Sequence, residues 1–318
     1  MTTATLAFDA RDLKAWLPRY GVYLAIVLLV LYNVFFTPYF LTWSNLRIQL
    51  IQVAPIVIVA LGMALVIGTE GIDLSVGSVM ALAAALIPLY LGYGVAGAIL
   101  VSLLAGVAVG LINGVLVARV GLQPIVATLA LFVGGRGLAV VISEGKLKDV
   151  RNPDLITLGS GDLLGIPILV WIAAALVLVV AFLVRRTVFG RRLLAIGGNR
   201  PASELAGLPV KRVLITVYVL CSVLASIAGL LSVARIQSSD ASAVGLLIEL
   251  SAITAVVVGG TPLTGGRVRV LGTVAGALLM QLVIATMIKH NLPPSTTEMA
   301  QAVIILIAVY VARERKTR

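Results

Sequence analysis

The sequence predicts an all-α integral membrane protein with about ten transmembrane helices, and three observations carry that reading. Apolar residues fill 60% of the 318 positions and charged residues only 12%, where soluble domains carry about 25% charge. The mean hydropathy is +1.13. The apolar residues gather into runs near the roughly 20 residues that a helix needs to cross a hydrocarbon core about 30 Å thick.

Those runs fall at 21–37, 48–68, 72–92, 95–118, 123–142, 163–184, 213–235, 246–260, 270–288 and 297–312. The first follows a polar and mixed stretch and has no small-residue cleavage pattern, so it is expected to remain as a span rather than leave as a signal peptide. The stretch at 246–260 is short and flanked by glycines, which predicts a broken or re-entrant helix. Basic residues then set the orientation, because cytoplasmic loops carry the excess of Lys and Arg. With a cytoplasmic N-terminus, 17 of the 24 basic residues fall inside, and only Arg47, Lys146, Lys148, Arg151 and Lys289 fall outside. Arg136 and Arg235 lie within predicted spans. The expected organisation is a cytoplasmic segment at 1–20 and one membrane domain at 21–312. A basic cytoplasmic loop lies at 185–212, and a cytoplasmic tail at 313–318.

Several chemistries are disfavoured by the inventory. The single cysteine, Cys221, lies in an apolar run, where it reads as a packing residue. The single histidine, His290, stands beside Lys289 in a predicted loop. Metal and disulfide frameworks need more ligands than these. The net charge of +11 is not a nucleic-acid signature, because its carriers sit at the ends of apolar segments.

Three segments interrupt the apolar pattern in informative ways. Gly68-Thr69-Glu70-Gly71-Ile72-Asp73-Leu74-Ser75-Val76-Gly77-Ser78 places glycines and carboxylates where helix would otherwise continue. Irregular backbone at membrane depth persists only inside protein or beside a watery cavity, and ionisable residues there are functional candidates. The alternative is an interfacial turn with Asp73 capping the next helix. The second segment, Val258-Gly259-Gly260-Thr261-Pro262-Leu263-Thr264-Gly265-Gly266-Arg267, follows Glu249 and lacks the Gly-Lys-Ser/Thr ending of a phosphate-binding loop. The third is the loop from Arg185 to Pro209. Pro201, Ala202, Ser203, Glu204, Leu205, Ala206, Gly207 and Leu208 read there as a short punctuated helix.

Together with Ile112-Asn113-Gly114-Val115-Leu116-Val117-Ala118, Pro124-Ile125-Val126-Ala127-Thr128-Leu129 and Gly135-Arg136-Gly137, these segments resemble the ribose-type sugar permeases of ABC importers. The resemblance runs in order from about residue 45 to 312. Within that family the chain looks most like the galactofuranose permease group, through Gln123-Pro124, Asn152-Pro153-Asp154-Leu155, Gly159-Ser160-Gly161, Ile248-Glu249-Leu250 and Leu292-Pro293-Pro294. The resemblance implies an ABC importer permease fold with broken helices and a non-catalytic role in the bacterial plasma (inner) membrane. It implies three partners: an ATP-binding subunit that uses ATP and Mg, an extracytoplasmic sugar-binding protein, and a second permease, identical or paralogous. Asp73, Ser75, Ser78, Thr128, Arg136, Glu249, Gly259, Gly260, Gly265 and Gly266 are the expected translocation path and gate. The 201–208 segment is the expected coupling helix. Thr261-Pro262 departs from the small residues usual after the glycine pair.

Three readings compete with an importer. An ion-coupled secondary sugar transporter also uses broken helices, with Asp73, Arg136 and Glu249 as the available ionisable groups. A membrane enzyme needs an acid cluster or metal site, and Glu70 with Asp73 makes only a weak pair. A channel needs charge rings, and no such repeat is visible.

Overall fold

The computed structural model describes residues 10–312, so the expected tail at 313–318 and the first nine residues of the N-terminal segment lie outside the described residues. The described bundle is built almost entirely of helices. Helix α1 spans Ala10–Phe36, α2 Trp43–Gly68, α3 Val76–Tyr90, α4 Val95–Val115 and α5 Pro124–Ser143. After these come a short α6 (Pro153–Ser160), then α7 (Ile168–Arg186), α8 (Val188–Gly198), α9 (Arg200–Leu205) and α10 (Val210–Ile236). The chain closes with α11 (Ile248–Val258), α12 (Val270–Lys289) and α13 (Pro294–Ala312). Seven of the described helices are long and apolar enough to cross a membrane, and shorter apolar helices lie at 20–36 and 248–258.

Helices α2 and α10 form the centre. The last sixteen residues of α2, from Val53 to Gly68, are buried, so its apolar surface runs all the way round and faces protein on every side. Pro55 is accommodated within this helix. Between α4 and α10 the fit depends on small residues. Ala98, Ser102, Gly106, Gly110 and Gly114 recur every fourth position on one stripe of α4, and all are buried. A Cβ on Gly110 would stand 2.6 Å from Val219 Cα, and one on Gly114 2.8 Å from Ile215 Cα. This is the close backbone approach that small residues permit between helices in lipid, where apolar side chains gain little over lipid tails. Polar cross-links supplement it. The Ser226 hydroxyl donates to the Ser102 carbonyl at 2.7 Å, and Gln281 of α12 donates to Gln49 and Gln52 of α2 at 2.8 and 2.7 Å.

Successive helices run up and down, so two ends can be distinguished. One carries α8 and α9. The opposite end carries α6, the two-residue strand β1 (Lys148–Asp149), and a hairpin of β2 (Asp162–Leu163) and β3 (Ile166–Pro167). It also holds β4 (Ser238–Ser239), which pairs antiparallel with β1. Arg47 reaches Asp162 there at 2.9 Å, fastening the start of α2 to the hairpin.

Several boundaries differ from the sequence reading. The span expected from residue 72 begins at Val76, because Asp73 Oδ1 accepts from the Ser75 amide and holds the preceding residues in a turn. The span expected from 163 begins at Ile168, since Leu163 and Ile166 are spent in the hairpin. Helix α6 was not expected, although Asn152 before Pro153 is a capping pair: its side chain accepts from the Asp154 amide at 3.0 Å. The expected short α11 is present. Its 11 residues span about 16 Å, half a hydrocarbon core.

Candidate functional site

Three of the breaks between the described helices gather the residues singled out from the sequence. At the first, α2 ends at Gly68 and α3 begins at Val76. Asp73, Ser75, Ser78 and Thr128 are all brought to this break, and all four are fully buried. The Ser75 hydroxyl donates to Asp73 Oδ1 at 2.6 Å and accepts from Asn113 Nδ2 at 2.8 Å, so a polar chain runs from the break into α4. Thr128 Oγ1 on α5 accepts from the Leu74 amide at 3.1 Å. The Ser78 hydroxyl donates to the Leu131 carbonyl at 2.9 Å. Tyr218 of α10 closes the other side, its hydroxyl 2.8 Å from where a Cβ on Gly71 would stand. These residues therefore brace the break against α4, α5 and α10; in this conformation they line no open surface.

The bracing has a measurable weight. Asp73→Ala removes the acceptor of a backbone amide and of a hydroxyl, leaving buried donors unpaired at a cost of about 2 kcal/mol. Asp73→Asn retains the Oδ1 acceptor. Thermal unfolding in detergent is expected to fall well below wild type for the alanine variant and to stay close to it for asparagine.

The second break precedes α11. Residues 241–247 form consecutive turns, held at their start by the Asp240 carboxylate, which accepts from the Ser242 amide at 2.9 Å and from its hydroxyl. The Ser242 hydroxyl holds the Asp240 carboxyl below the usual carboxylate range. Arg136, from α5, reaches into this turn. Its Nη1 donates to the carbonyls of Ser242 and Val244 at 3.1 and 3.2 Å. Glu249 stands in the first turn of α11, where the helix dipole favours a carboxylate. Its residue is 4% exposed. Arg136 and Glu249 both pack close to Gly77 of α3, together with the backbone of the 241–247 turns: a Cβ there would lie 2.4 Å from the Gly245 carbonyl oxygen, 2.6 Å from Glu249 Oε2 and 3.3 Å from Arg136 Nη2.

The third break follows α11. Gly265 and Gly266 are both left-handed, with φ of 74° and 75°, a pair of conformations that glycine adopts without steric cost. The turn they make lets the Gly266 amide donate to the Gly68 carbonyl at 3.0 Å. Gly197, near the end of α8, packs against the same Gly68 carbonyl, and a Cβ on it would stand 2.7 Å from the Gly266 nitrogen. Three segments thus touch backbone to backbone with no side chain between them. Gly259 packs against Gly272 at the start of α12, and Gly260 is left-handed with φ 84°. The departure at Thr261 has a local role: its hydroxyl oxygen accepts from the Arg269 amide at 3.0 Å.

Next to this junction the expected 201–208 helix is shorter than the sequence suggests. It runs Arg200–Leu205, capped by Asn199, whose side chain accepts from the Ala202 amide at 3.0 Å. Gly207 is left-handed, and the Leu208 amide returns to the Ser203 carbonyl at 3.0 Å, which stops the helix. Pro201, Ala202, Glu204 and Ala206 are exposed, while Ser203 is buried. Leu205 is 91% exposed at the tip.

A surface hollow of about 470 Å³ lies along residues 34–42 and shares no residue with any of the three breaks.

Residues 45–311 match the family described as branched-chain amino acid transport system / permease component. The chain belongs to this permease family. Curated relatives extend the match. It is 40% identical to the galactofuranose transporter permease protein YtfT of Escherichia coli K12, over 83% of this chain and 78% of that one. It is 37% identical to the ribose import permease protein RbsC of the same strain, over 99% of this chain and the whole of the other. The L-arabinose ABC transporter permease protein AraH of Azospirillum brasilense is 37% identical over 88% and 83% of the two chains. No solved structure matches. Seven apolar helices and this membership make the chain a multi-pass inner-membrane protein.

Within the permease, the residues expected to form one path fall into separate groups. Asp73, Ser75, Ser78 and Thr128 share the first break, Arg136 and Glu249 the second, and Gly265 with Gly266 the junction beside α8. Sequence reasoning missed Tyr218, Asn113, Gly77 and Gly197 as members of these groups. A lone Tyr or Asn in an apolar span carries a weak signal. Its only mark is that a polar group in lipid needs a partner.

Proposed function

We propose that this chain is the membrane-spanning permease subunit of an ATP-binding-cassette importer that carries a monosaccharide, with galactofuranose or a pentose such as ribose as the candidate cargo. The observation that carries the reading is the end-to-end relationship to the ribose import permease, 37% identity over 99% of the chain. The geometry supports it. A half-length α11, two glycine-bearing breaks beside it and a short helix presenting Leu205 to solvent are the parts that such a subunit needs.

In this scheme ten spans cross the membrane, the seven long apolar helices joined by α1, α11 and α13. Both termini are cytoplasmic, as are α8 and α9. Arg191, Arg192 and Arg200 lie on those helices and Arg185, Arg186, Lys211 and Arg212 flank them, and together they would hold that face inside. Helix α9, with the turn to Leu208, docks on an ATP-binding subunit, which performs the hydrolysis with ATP and Mg. This chain does no covalent chemistry. A sugar-binding protein delivers cargo to the opposite face, and a second permease, identical or paralogous, completes the path. The path and gate are assigned to the three breaks. The ion-coupled alternative gives α9 no role.

Affinity purification of the tagged permease, followed by ATPase assay of the complex in nanodiscs, tests the proposal. Co-purification of an ATP-binding subunit with hydrolysis stimulated by a sugar-loaded binding protein is the expected result. A chain that purifies alone and imports sugar on an ion gradient overturns it.

A further inference from the structure

Helix α7 has two distinct sides. Leu169, Ala173, Val180 and Val184 are buried against the bundle, while Trp171, Leu178, Val179 and Phe182 are exposed. Ala174 and Ala175 are exposed between them, so an uncovered apolar stripe recurs every three or four residues along the helix. At one end the Trp171 indole donates to the Leu163 carbonyl at 3.1 Å, the habit of a tryptophan at a membrane interface. At the other end the stripe stops on Arg185 and Arg186, both exposed. The chain then turns at Thr187 into α8, and Gly190 packs directly on the Leu183 and Val184 carbonyls, which folds α8 back onto the foot of α7. Arg191 and Arg192 come next and are exposed too. None of these four guanidinium groups enters an ion pair among the described residues, whereas Arg47, Lys146, Arg151 and Arg200 each have an acidic partner.

The corner therefore joins two features that call for different chemistry. A guanidinium fork matches the oxygens of a phosphate, and an exposed apolar stripe directly above it suits an acyl chain. A soluble subunit seated here would satisfy the arginines and leave the stripe uncovered, and free phosphate would do the same. One class of molecule covers both. We infer that the α7–α8 corner binds an anionic phospholipid with two phosphates, of the cardiolipin type. One phosphate sits on Arg185 and Arg186, the other on Arg191 and Arg192, and an acyl chain lies along Phe182 and Leu178. The adjacent basic pair Lys211 and Arg212 offers no such platform, because α10 exposes no large apolar side chain between residues 210 and 235. The inference goes beyond the importer reading and does not depend on the cargo.

The test is native mass spectrometry of the full-length permease in detergent, titrated with cardiolipin or with phosphatidylcholine. Wild type is expected to retain one cardiolipin at concentrations where phosphatidylcholine is lost. Two double variants, Arg185→Gln with Arg186→Gln and Arg191→Gln with Arg192→Gln, should each weaken cardiolipin at least about tenfold, because each removes two basic groups facing the lipid. Lys211→Gln with Arg212→Gln should leave binding unchanged. The four arginines are exposed, so the lipid-free unfolding temperatures should match wild type, and added cardiolipin should raise that of wild type alone among the two double variants and itself. Millimolar glycerophosphate, which has the phosphate without the chains, should not displace the lipid. Unchanged binding in both double variants, an equal loss in the Lys211–Arg212 control, or equal retention of phosphatidylcholine overturns the site. So does displacement by glycerophosphate, which would mark a phosphate site without acyl contact. Loss of the co-purifying ATP-binding subunit with cardiolipin still bound would give the arginines to that subunit and also overturn it. A complex that imports no sugar but keeps this lipid pattern removes the importer reading and leaves the site standing.

Discussion

Gly197→Ala is expected to cost the reconstituted transporter at least about tenfold in uptake, while Gly198→Ala leaves it near wild type. The added methyl at 197 would press on the Gly68 carbonyl and stand 2.7 Å from the Gly266 nitrogen. Both are backbone atoms and neither can rotate away, so α8, the end of α2 or the 259–269 loop must shift. Overpacking of this kind costs about 1–3 kcal/mol, and about 1.4 kcal/mol is already a factor of ten in a conformational equilibrium. At Gly198 a methyl group meets nothing within 4 Å. Uptake into proteoliposomes, together with the unfolding temperature of each variant, checks the pair. Equal behaviour of the two variants would show that the junction tolerates separation and transmits no movement from α8 to the breaks.

Leu205→Asp is expected to weaken co-purification of the ATP-binding subunit by at least about tenfold, without lowering the permease's own stability. Leu205 is 91% exposed, so it contributes no packing to the free chain. A large apolar side chain at the tip of a short helix is the kind of anchor that carries a disproportionate share of binding energy, and a carboxylate in its place would have to be desolvated. The contrast is the Arg200–Glu204 pair on the same helix, 3.3 Å apart and solvent-facing. Exposed pairs of this type contribute about 0–1 kcal/mol, so Glu204→Ala should change permease stability little. Purification yield of the subunit against tagged permease, quantified beside the melting curve, separates docking from folding. Undiminished recovery with Leu205→Asp would remove α9 from the docking role.

The helices were the most legible feature of the sequence, for a physical reason. Lipid requires each span to satisfy its backbone internally, which forces long apolar runs, and α2, α5, α10 and α12 begin and end within a few residues of those runs. The start of α3 was less legible because Ile72 and Leu74 are as apolar as a helix interior, and only the Asp73 carboxylate bonded to the Ser75 amide turns them into a break. The same ambiguity hid the hairpin before α7. The candidate residues were legible by type, as charges and glycines at membrane depth, but their grouping was not. Arg136 and Glu249 are far apart in sequence and both pack close to Gly77, which the motif contained without any sign that its bare Cα mattered. Gly197 was likewise one glycine of a basic loop until the Gly68 carbonyl was found against it.

Cys221 is the chain's only cysteine, fully buried on α10, with its Sγ 3.1 Å from where a Cβ on Gly62 would stand. A water-borne maleimide thus finds no reactive sulfur on the native molecule. Thiol chemistry can therefore be directed at will: a cysteine introduced at Gly198 or at Leu247 becomes the sole attachment point for a fluorophore or nitroxide. No preliminary substitution has to disturb the packing between α2 and α10. Two such probes, one beside α9 and one in the turn ahead of α11, would turn each transport cycle into a spectroscopic distance record.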